Sequence, residues 1–228
     1  MPTTPTSARG AAGPADLVSA DAVARRLLAN GNAQAGYRSV IAGETEGIDV
    51  REQSAEVAAI LAEQGKQVVL VDWSFDGRGM SEALGLPASP GILDLIEGRA
   101  SFDDVIRRLP DGDVHVVACG TARTAGPGKL DADRINLVLD ALDEAYDHII
   151  VTGPHASILD LFLAIQGRFD AGVLVCDSKR GPRAPAAAGT FLGYQVADID
   201  VIRLDRAGTA VGHKATATRA GNRSEQRV

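Results

Sequence analysis

The sequence has few of the residues that mark a secreted, metal-binding or nucleic-acid-binding protein. Its 228 residues include only 2 cysteines and 4 histidines, and their spacing matches neither a zinc site nor a disulfide framework. The formal net charge of -7 argues against nucleic-acid binding through overall charge. No apolar run approaches the roughly 18 residues that span a bilayer, and the N-terminus lacks the pattern of a secretory signal. We therefore expect a cytoplasmic protein without direct membrane insertion and without a nucleic-acid partner.

The composition that remains is that of a soluble globular protein, with 45% hydrophobic and 23% charged residues. A chain of 23.7 kDa is long enough to bury one continuous core. Ala, Gly, Thr and Ser dominate both ends without apolar periodicity, which is typical of mobile tails. We predict a mobile N-terminal tail at 1–15, a single α/β domain at 16–206 and a mobile C-terminal tail at 207–228.

Short apolar runs recur along the predicted domain and are separated by segments with helical spacing. The runs are RSVIA (38–42), QVVLVD (67–72), DVHVVAC (113–119), DHIIVT (147–152), AGVLVC (171–176) and DIDVIRL (198–204). Continuous Val, Ile and Leu runs of this length favour strands buried on both faces. Cys119 and Cys176 each end such a run and are expected to be small buried hydrophobes. The alternation predicts an α/β fold with a doubly wound, mainly parallel sheet flanked by helices.

The first strand–helix junction has the context of a phosphate-binding loop but not its chemistry. A Walker A loop reads G-x-x-x-x-G-K-[ST], because the lysine neutralises the phosphates and the hydroxyl holds magnesium. Here the matching octet is AGETEGID, from Ala42 to Asp49. Gly47 holds the last glycine position, Ile48 replaces the lysine and Asp49 replaces the Ser or Thr. The degenerate nucleotide-loop positions are therefore Ala42, Gly43, Glu46, Gly47, Ile48 and Asp49.

Several separate stretches together resemble one family. From about Ala22 to about Leu204, the chain resembles the cytoplasmic domain of bacterial tyrosine kinases (BY-kinases), the capsular exopolysaccharide family within the MinD/ParA-like group of P-loop ATPases. AVARRLLAN (22–30) is similar to E-x-x-R-x-L-R-x-N, the segment from 65 to 106 to the family's G-K-x-V-L-L-I-D-x-D region, and YDHIIVTGP (146–154) to Y-D-x-I-I-I-D-x-P-P. The resemblance implies the P-loop NTPase fold and a role in exopolysaccharide or capsule synthesis.

The sequence departs from this family at the residues that carry its chemistry. The family's Walker A' motif D-x-D corresponds to Asp72, Trp73 and Ser74, so only the first aspartate survives, and the Walker B aspartate position holds Thr152. Phosphoryl transfer depends on positioned charge. We therefore expect no catalytic residues, no metal site and a catalytically degenerate pseudokinase. Trp73 and Phe75 either form a partner-binding surface or pack locally.

The aspartate at the hydroxyl position also bears on nucleotide binding. Two like charges about 4 Å apart repel by roughly 1 to 4 kcal/mol, so no cofactor is expected and ATP or ADP with magnesium should bind weakly or not at all. Asp49 and Glu52 fit a capping box at the start of the following helix. In this hypothesis the protein supplies its own anion at its former phosphate site.

The resemblance implies a separate membrane partner, because the family's kinase domain docks on a membrane polysaccharide co-polymerase. We expect a regulatory or structural partner of such an export protein, peripheral to the inner face of the membrane through that partner. A homo-oligomer is open, since the family's E-x-x-R-x-x-R oligomerisation positions hold Ala22, Arg25 and Leu28. Two alternatives remain: an active or nucleotide-sensing MinD/ParA-type ATPase or tyrosine kinase, and a scaffold in septum, cell-pole or chromosome positioning.

Overall fold

The fold was analysed in a computed structural model. It describes residues 18–31, 35–75, 79–110, 112–121, 131–165, 168–177, 190–195 and 199–206. The predicted tails at 1–15 and 207–228 lie outside the described residues.

A seven-stranded sheet forms the centre of the domain, in the order β3-β4-β2-β5-β1-β6-β9. Every neighbouring pair is parallel except β3 and β4, which are antiparallel. The strands are β1 (Tyr37–Gly43), β2 (Val68–Asp72), β3 (Ile106–Arg108), β4 (Val114–Val117), β5 (His148–Gly153), β6 (Ala171–Cys176) and β9 (Asp200–Asp205), and a separate hairpin contains β7 (Thr190–Phe191) and β8 (Tyr194–Gln195). The predicted mainly parallel sheet is confirmed.

Helices cover both faces of the sheet, as a doubly wound fold requires. They are α1 (Ala20–Asn30), α2 (Arg51–Glu63), α3 (Met80–Ala83), α4 (Ile92–Ile96), α5 (Phe102–Val105), α6 (Ala132–Asp143) and α7 (His155–Ala164). Apolar side chains of α1 and α2 pack on one face, and those of α4, α6 and α7 pack on the other. The two cores exist because successive residues of each strand point to opposite faces.

All six apolar runs form strands, although β9 at one end of the sheet order alternates between buried and partly exposed residues. Every residue of β1, β2, β5 and β6 is buried, which explains why those runs lack apolar–polar alternation. Cys119 and Cys176 are buried free cysteines, as predicted. The three-residue β3 and the β7–β8 hairpin were not predicted, because strands this short carry no periodic signal.

Two residues of α1 at the predicted oligomerisation positions make contacts within the chain. Arg25 forms an ion pair with Asp21 one turn earlier in α1, and Leu28 packs partly buried against the core between this helix and the sheet. Leu28 therefore has an intramolecular contact, while the oligomeric state stays a prediction. None of the helices in the described part of the chain is both long and apolar enough to span a bilayer.

Candidate functional site

The three stretches that carry the predicted site residues meet at one edge of the sheet. Strands β2, β5 and β1 are neighbours, with Asp72 paired to Thr152 and Thr152 paired to Ile41 in the strand register. All three strands are parallel, so their carboxyl ends and the loops that follow lie together. The structure thus brings the residues predicted at the Walker A, A' and B positions to the edge where ligands bind in this type of fold.

The loop after β1 is closed by an apolar side chain at the lysine position. Ile48 is only 7% exposed and belongs to the core beneath α2, as does Val50. The loop returns so closely over the end of β1 that a Cβ added to Gly43 would lie 2.8 Å from the Ile48 Cβ. Gly47 has φ of +76°, a conformation that glycine adopts without strain. Ala42 is buried and Glu46 is exposed. The position at which a Walker A loop has its lysine is therefore turned into the protein, because Ile48 is buried there.

Helix α2 begins at Arg51, and this corrects the predicted capping box. Its N-cap is Val50, which has no polar side chain, and no side-chain capping bond forms there. Asp49 lies one residue too early to be the N-cap, so Asp49 and Glu52 are not spaced as a capping pair. The predicted box was wrong because α2 begins at Arg51, one residue later than an Asp49 N-cap requires.

Asp49 instead binds Arg51. Its Oδ1 accepts the Arg51 backbone N–H at 3.0 Å and the Arg51 Nε–H at 2.9 Å, and its Oδ2 accepts from Nη2 at 2.7 Å. This is a bidentate, charge-assisted arrangement. The hydrogen bonds that Arg51 donates hold the pKa of Asp49 below its usual value, with Arg206 contributing further positive charge. The carboxylate is therefore ionised and already paired.

Two further contacts fasten the same loop to neighbouring elements. Glu44 forms an ion pair with Arg203 of β9, and both side chains are largely buried. On the other side, His155 Nδ1 at the start of α7 lies 2.8 Å from the Gly43 carbonyl oxygen, which accepts the bond. Near this loop, burial, followed by the negative charge of Glu44, raises the pKa of the Cys176 thiol to about 12. Cys176 is therefore a buried thiol that stays protonated at neutral pH.

The surviving Walker A' aspartate is enclosed by the segment that follows β2. Asp72 is 1% exposed, and its Oδ2 accepts the backbone N–H of Ser81 at 3.1 Å and the Ser81 hydroxyl at 3.0 Å. Gly79 approaches the carboxylate so closely that a Cβ there would overlap it. Ser74, at the second Walker A' position, is also buried. Asp72 therefore holds α3 against the end of β2.

At the predicted Walker B position, the Thr152 hydroxyl forms a hydrogen bond with a residue of α2. Thr152 is 2% exposed and Ser54 is fully buried, and their hydroxyl oxygens lie 2.7 Å apart in a shared hydrogen bond. Neither Ser54 nor Arg51 was singled out from the sequence, because only the tertiary packing of α2 on β5 reveals their partners. The pair ties α2 to the sheet at the predicted Walker B position.

Trp73 and Phe75 pack locally. Trp73 is 3% exposed and lies edge-on to Phe75, with ring centroids 5.5 Å apart. Trp73 belongs to the core beneath α4, α6 and α7, and the partly buried Phe75 packs against that core. A Cβ on Gly153 would lie 2.6 Å from the Trp73 carbonyl oxygen, so the backbones of β2 and β5 are in close contact here. The partner-surface interpretation of Trp73 is wrong.

The side chains present do not fit a nucleotide triphosphate with magnesium held in the Walker manner. The lysine position carries a buried isoleucine, the hydroxyl position carries a carboxylate, and the Walker B position carries a threonine bonded to Ser54. Among the described residues, no group of three or more His, Cys, Asp or Glu side chains is placed to hold a metal ion.

Comparison with known sequences finds tyrosine kinases and partition-type ATPases, although no protein-family model matches the chain. The tyrosine-protein kinase ptk of Acinetobacter johnsonii is 26% identical over 101 residues, 44% of this chain and 14% of that protein. The chromosome-partitioning ATPase Soj of Treponema pallidum is 27% identical over 125 residues, 52% of this chain and 49% of that protein. The matched region therefore spans half or less of either relative.

Solved structures show the same fold over most of the domain. The kinase domain of the Escherichia coli tyrosine kinase ETK superposes with a TM-score of 0.62 at 17% identity, covering 83% of this chain and 73% of that one. The VpsO kinase domain gives 0.60 at 18% identity, covering 81% and 94%. Cobyrinic acid a,c-diamide synthase from Mycobacterium smegmatis, solved with a bound ATP analogue and magnesium, gives 0.54 at 16% identity, covering 75% and 72%.

The resemblance to bacterial tyrosine kinases is confirmed. The P-loop NTPase fold is confirmed with it, because the sheet is mainly parallel and solved kinase domains superpose on most of the chain. What the chain does with this fold depends on its own loop residues.

Proposed function

We propose that this protein is a catalytically degenerate BY-kinase-like domain that acts as a regulatory or structural partner in exopolysaccharide or capsule biosynthesis and export. The similarity to bacterial tyrosine kinases supports the setting. The single observation that supports a loss of catalysis is the closed loop after β1, in which Ile48 is buried and Asp49 is paired with Arg51. Transfer of a phosphoryl group requires positive charge and metal at this place.

The proposal includes weak or absent binding of ATP or ADP with magnesium. An incoming phosphate would meet the Asp49 carboxylate, and the repulsion, about 1 to 4 kcal/mol at 4 Å, adds to the loss of the lysine. Each 1.4 kcal/mol is about tenfold in affinity, so a loss of about a hundredfold or more follows. The function then rests on protein contacts, and the partner we propose is a membrane polysaccharide co-polymerase or a related export protein. Docking on it would hold a cytoplasmic domain at the inner face of the membrane.

A second candidate is a partition-type ATPase that uses residues outside the Walker pattern. The similarity to Soj favours it, and so does the survival of the buried Asp72 carboxylate at the site edge. The two functions differ in what the negative charge of Asp72 does. In the first it is structural, and in the second it is required for hydrolysis.

We predict that Asp72→Asn leaves the function intact. The amide oxygen can accept both bonds from Ser81, so the substitution removes the charge while keeping the contact with α3. A strain lacking the gene should regain its exopolysaccharide yield and chain-length distribution when it is complemented with either the wild type or Asp72→Asn. Neither purified protein should release phosphate from ATP above a no-protein blank.

Ser81→Ala is the matched control for fold damage, because it removes the hydroxyl bond to Asp72 but keeps the charge. If the wild type and Ser81→Ala both hydrolyse ATP while Asp72→Asn does not, that result would contradict the degenerate kinase and support the active ATPase. If deletion of the gene leaves the polysaccharide unchanged and causes a partition defect, the function is in chromosome or septum positioning instead.

A further inference from the structure

The hairpin formed by residues 190–195 has a turn that its sequence does not favour. Phe191 pairs with Tyr194 across a two-residue turn, and both turn residues have positive φ, +50° at Leu192 and +87° at Gly193. Such turns usually carry Asn or Gly at the first position, because a positive φ brings a Cβ too close to the backbone. Leu192 is the only non-glycine residue with positive φ in the described part of the chain. A contact outside the turn must therefore hold it in place.

Burial of two side chains at the tip of the hairpin provides this contact. Phe191 is fully buried and Leu192 is nearly so, and both belong to the core beneath α4, α6 and α7. Tyr194, which pairs with Phe191, is exposed. No backbone hydrogen bond between described residues joins the hairpin to the seven-stranded sheet. The side chains of Phe191 and Leu192 are therefore the main apolar attachment of the hairpin to the domain.

The Phe191 ring fills a pocket that is shaped for an aromatic side chain. The floor of this pocket is Gly172 of β6, where an added Cβ would lie 2.4 Å from two ring carbons of Phe191. The wall is Phe162 of α7, whose ring centroid lies 5.2 Å from that of Phe191, with the Phe169 ring parallel to Phe162 at 6.5 Å. A glycine in a strand often marks a place where another group approaches the backbone closely. We call Gly172, Phe162 and Phe169 the ring pocket.

Two opposing effects decide how firmly the hairpin stays docked. Burial of its two apolar side chains favours docking, whereas the positive φ of Leu192 is a constraint that is released when the hairpin leaves. Segments held by few buried apolar contacts open locally without unfolding of the whole domain. An open hairpin would leave the ring pocket empty and accessible from the side that the hairpin now covers.

We propose that the ring pocket is a docking site for an aromatic side chain of a partner protein, and that the 190–195 hairpin occupies it until the partner displaces it. The present occupant indicates the chemistry of that partner, which is a segment carrying a flat ring next to an aliphatic side chain. Buried aromatic anchors of this kind supply much of the binding energy at protein interfaces. This inference goes beyond the proposed function, which names no contact surface, and it holds whether or not the domain binds a nucleotide.

Titration of the full chain with N-acetylphenylalaninamide, followed by calorimetry and thermal unfolding, tests the pocket. This probe carries an amide on both sides of its aromatic residue, so it needs a pocket open to solvent, whereas benzene also enters a sealed apolar cavity. Phe191→Ala, which vacates the pocket, should bind the probe at least about tenfold more tightly than the wild type, because in the wild type the hairpin must leave first. The wild type should show a smaller rise in Tm at the same probe concentration. Adding Gly172→Ala should abolish binding in both backgrounds, since the new methyl group occupies the floor of the pocket.

Phe162→Ala is the matched control, because it removes the same side-chain volume from the same cluster and leaves Phe191 in the chain. It should bind the amide probe no more tightly than the wild type does. If Phe191→Ala fails to fold, Phe191→Val, which retains more of the buried volume, tests the same point.

Several results would overturn the inference. A folded Phe191→Ala that takes up benzene but not the amide probe would show that Phe191 is an ordinary core residue, and unfolding of both Phe191 variants would show the same. No response of the wild type would mean that the hairpin is not displaced. Equal tight binding by Phe162→Ala, or binding that survives Gly172→Ala, would place the probe elsewhere. Self-association of the wild type that Gly172→Ala abolishes would assign the pocket to a second copy of the chain.

Discussion

Replacing Ile48 with lysine should lower the free energy of unfolding by about 3 kcal/mol. In a working phosphate loop a lysine at this position reaches toward the ligand, but here the side chain is 7% exposed and packs with the core beneath α2. An ammonium group there loses apolar burial and must either be desolvated or force the loop open. Urea denaturation followed by the emission of Trp73, the single and buried tryptophan, measures the effect.

Two variants separate burial from other causes. Ile48→Val removes one methylene and should cost about 1 kcal/mol, while Ala59→Lys places a lysine at an exposed position of α2 and should change stability by less than about 0.5 kcal/mol. An Ile48→Lys protein as stable as Ala59→Lys would mean that residue 48 faces solvent and that the loop is open.

Acidification from neutral pH should destabilise the protein through His148. This side chain is 2% exposed at the start of β5, and burial lowers its pKa from 6.5 to about 4, with Lys66 lowering it further and Asp147 opposing the shift. Between these two values the unfolded chain binds a proton that the folded chain does not. Stability is therefore constant in this respect above about pH 7 and falls as the pH drops toward 4, by up to about 3 kcal/mol.

Chemical denaturation at a series of pH values between 7 and 4.5 checks this slope. His148→Leu should flatten it, because the substitution removes the group whose pKa differs between the two states. His115→Asn is the control that should keep it, since His115 is only partly buried and bonded to the Tyr146 hydroxyl. A wild-type protein whose stability does not change over this range would contradict the burial of His148.

The fold could be predicted because strands buried on both faces are continuous apolar runs in the sequence. Runs such as VVLVD and AGVLVC lack polar positions, and in the structure every residue of β2 and β6 is buried on a two-sided sheet. The positions of the site residues followed from the same argument, because parallel strands place their carboxyl ends on one edge. Asp72 and Thr152 are register neighbours for this reason.

The contacts at the site could not be predicted from the sequence, because they depend on where a helix begins and on which side chains a tertiary contact brings together. The sequence pattern places Asp49 at the N-cap, whereas in the structure Val50 is the N-cap and α2 begins at Arg51. The hydrogen bond between Ser54 and Thr152 joins residues 98 positions apart, so no local sequence pattern predicts it. The loss of the lysine was readable in the sequence, whereas the way the chain fills its place was not.

Calorimetric titration of the purified protein with ATP and ADP, with and without magnesium, tests the central claim most directly. The closed loop, with Ile48 buried and Asp49 bound to Arg51, predicts no measurable heat up to millimolar nucleotide. Binding with a micromolar Kd would contradict the account, because it would mean that the loop opens to admit phosphates and that the domain acts as a nucleotide sensor.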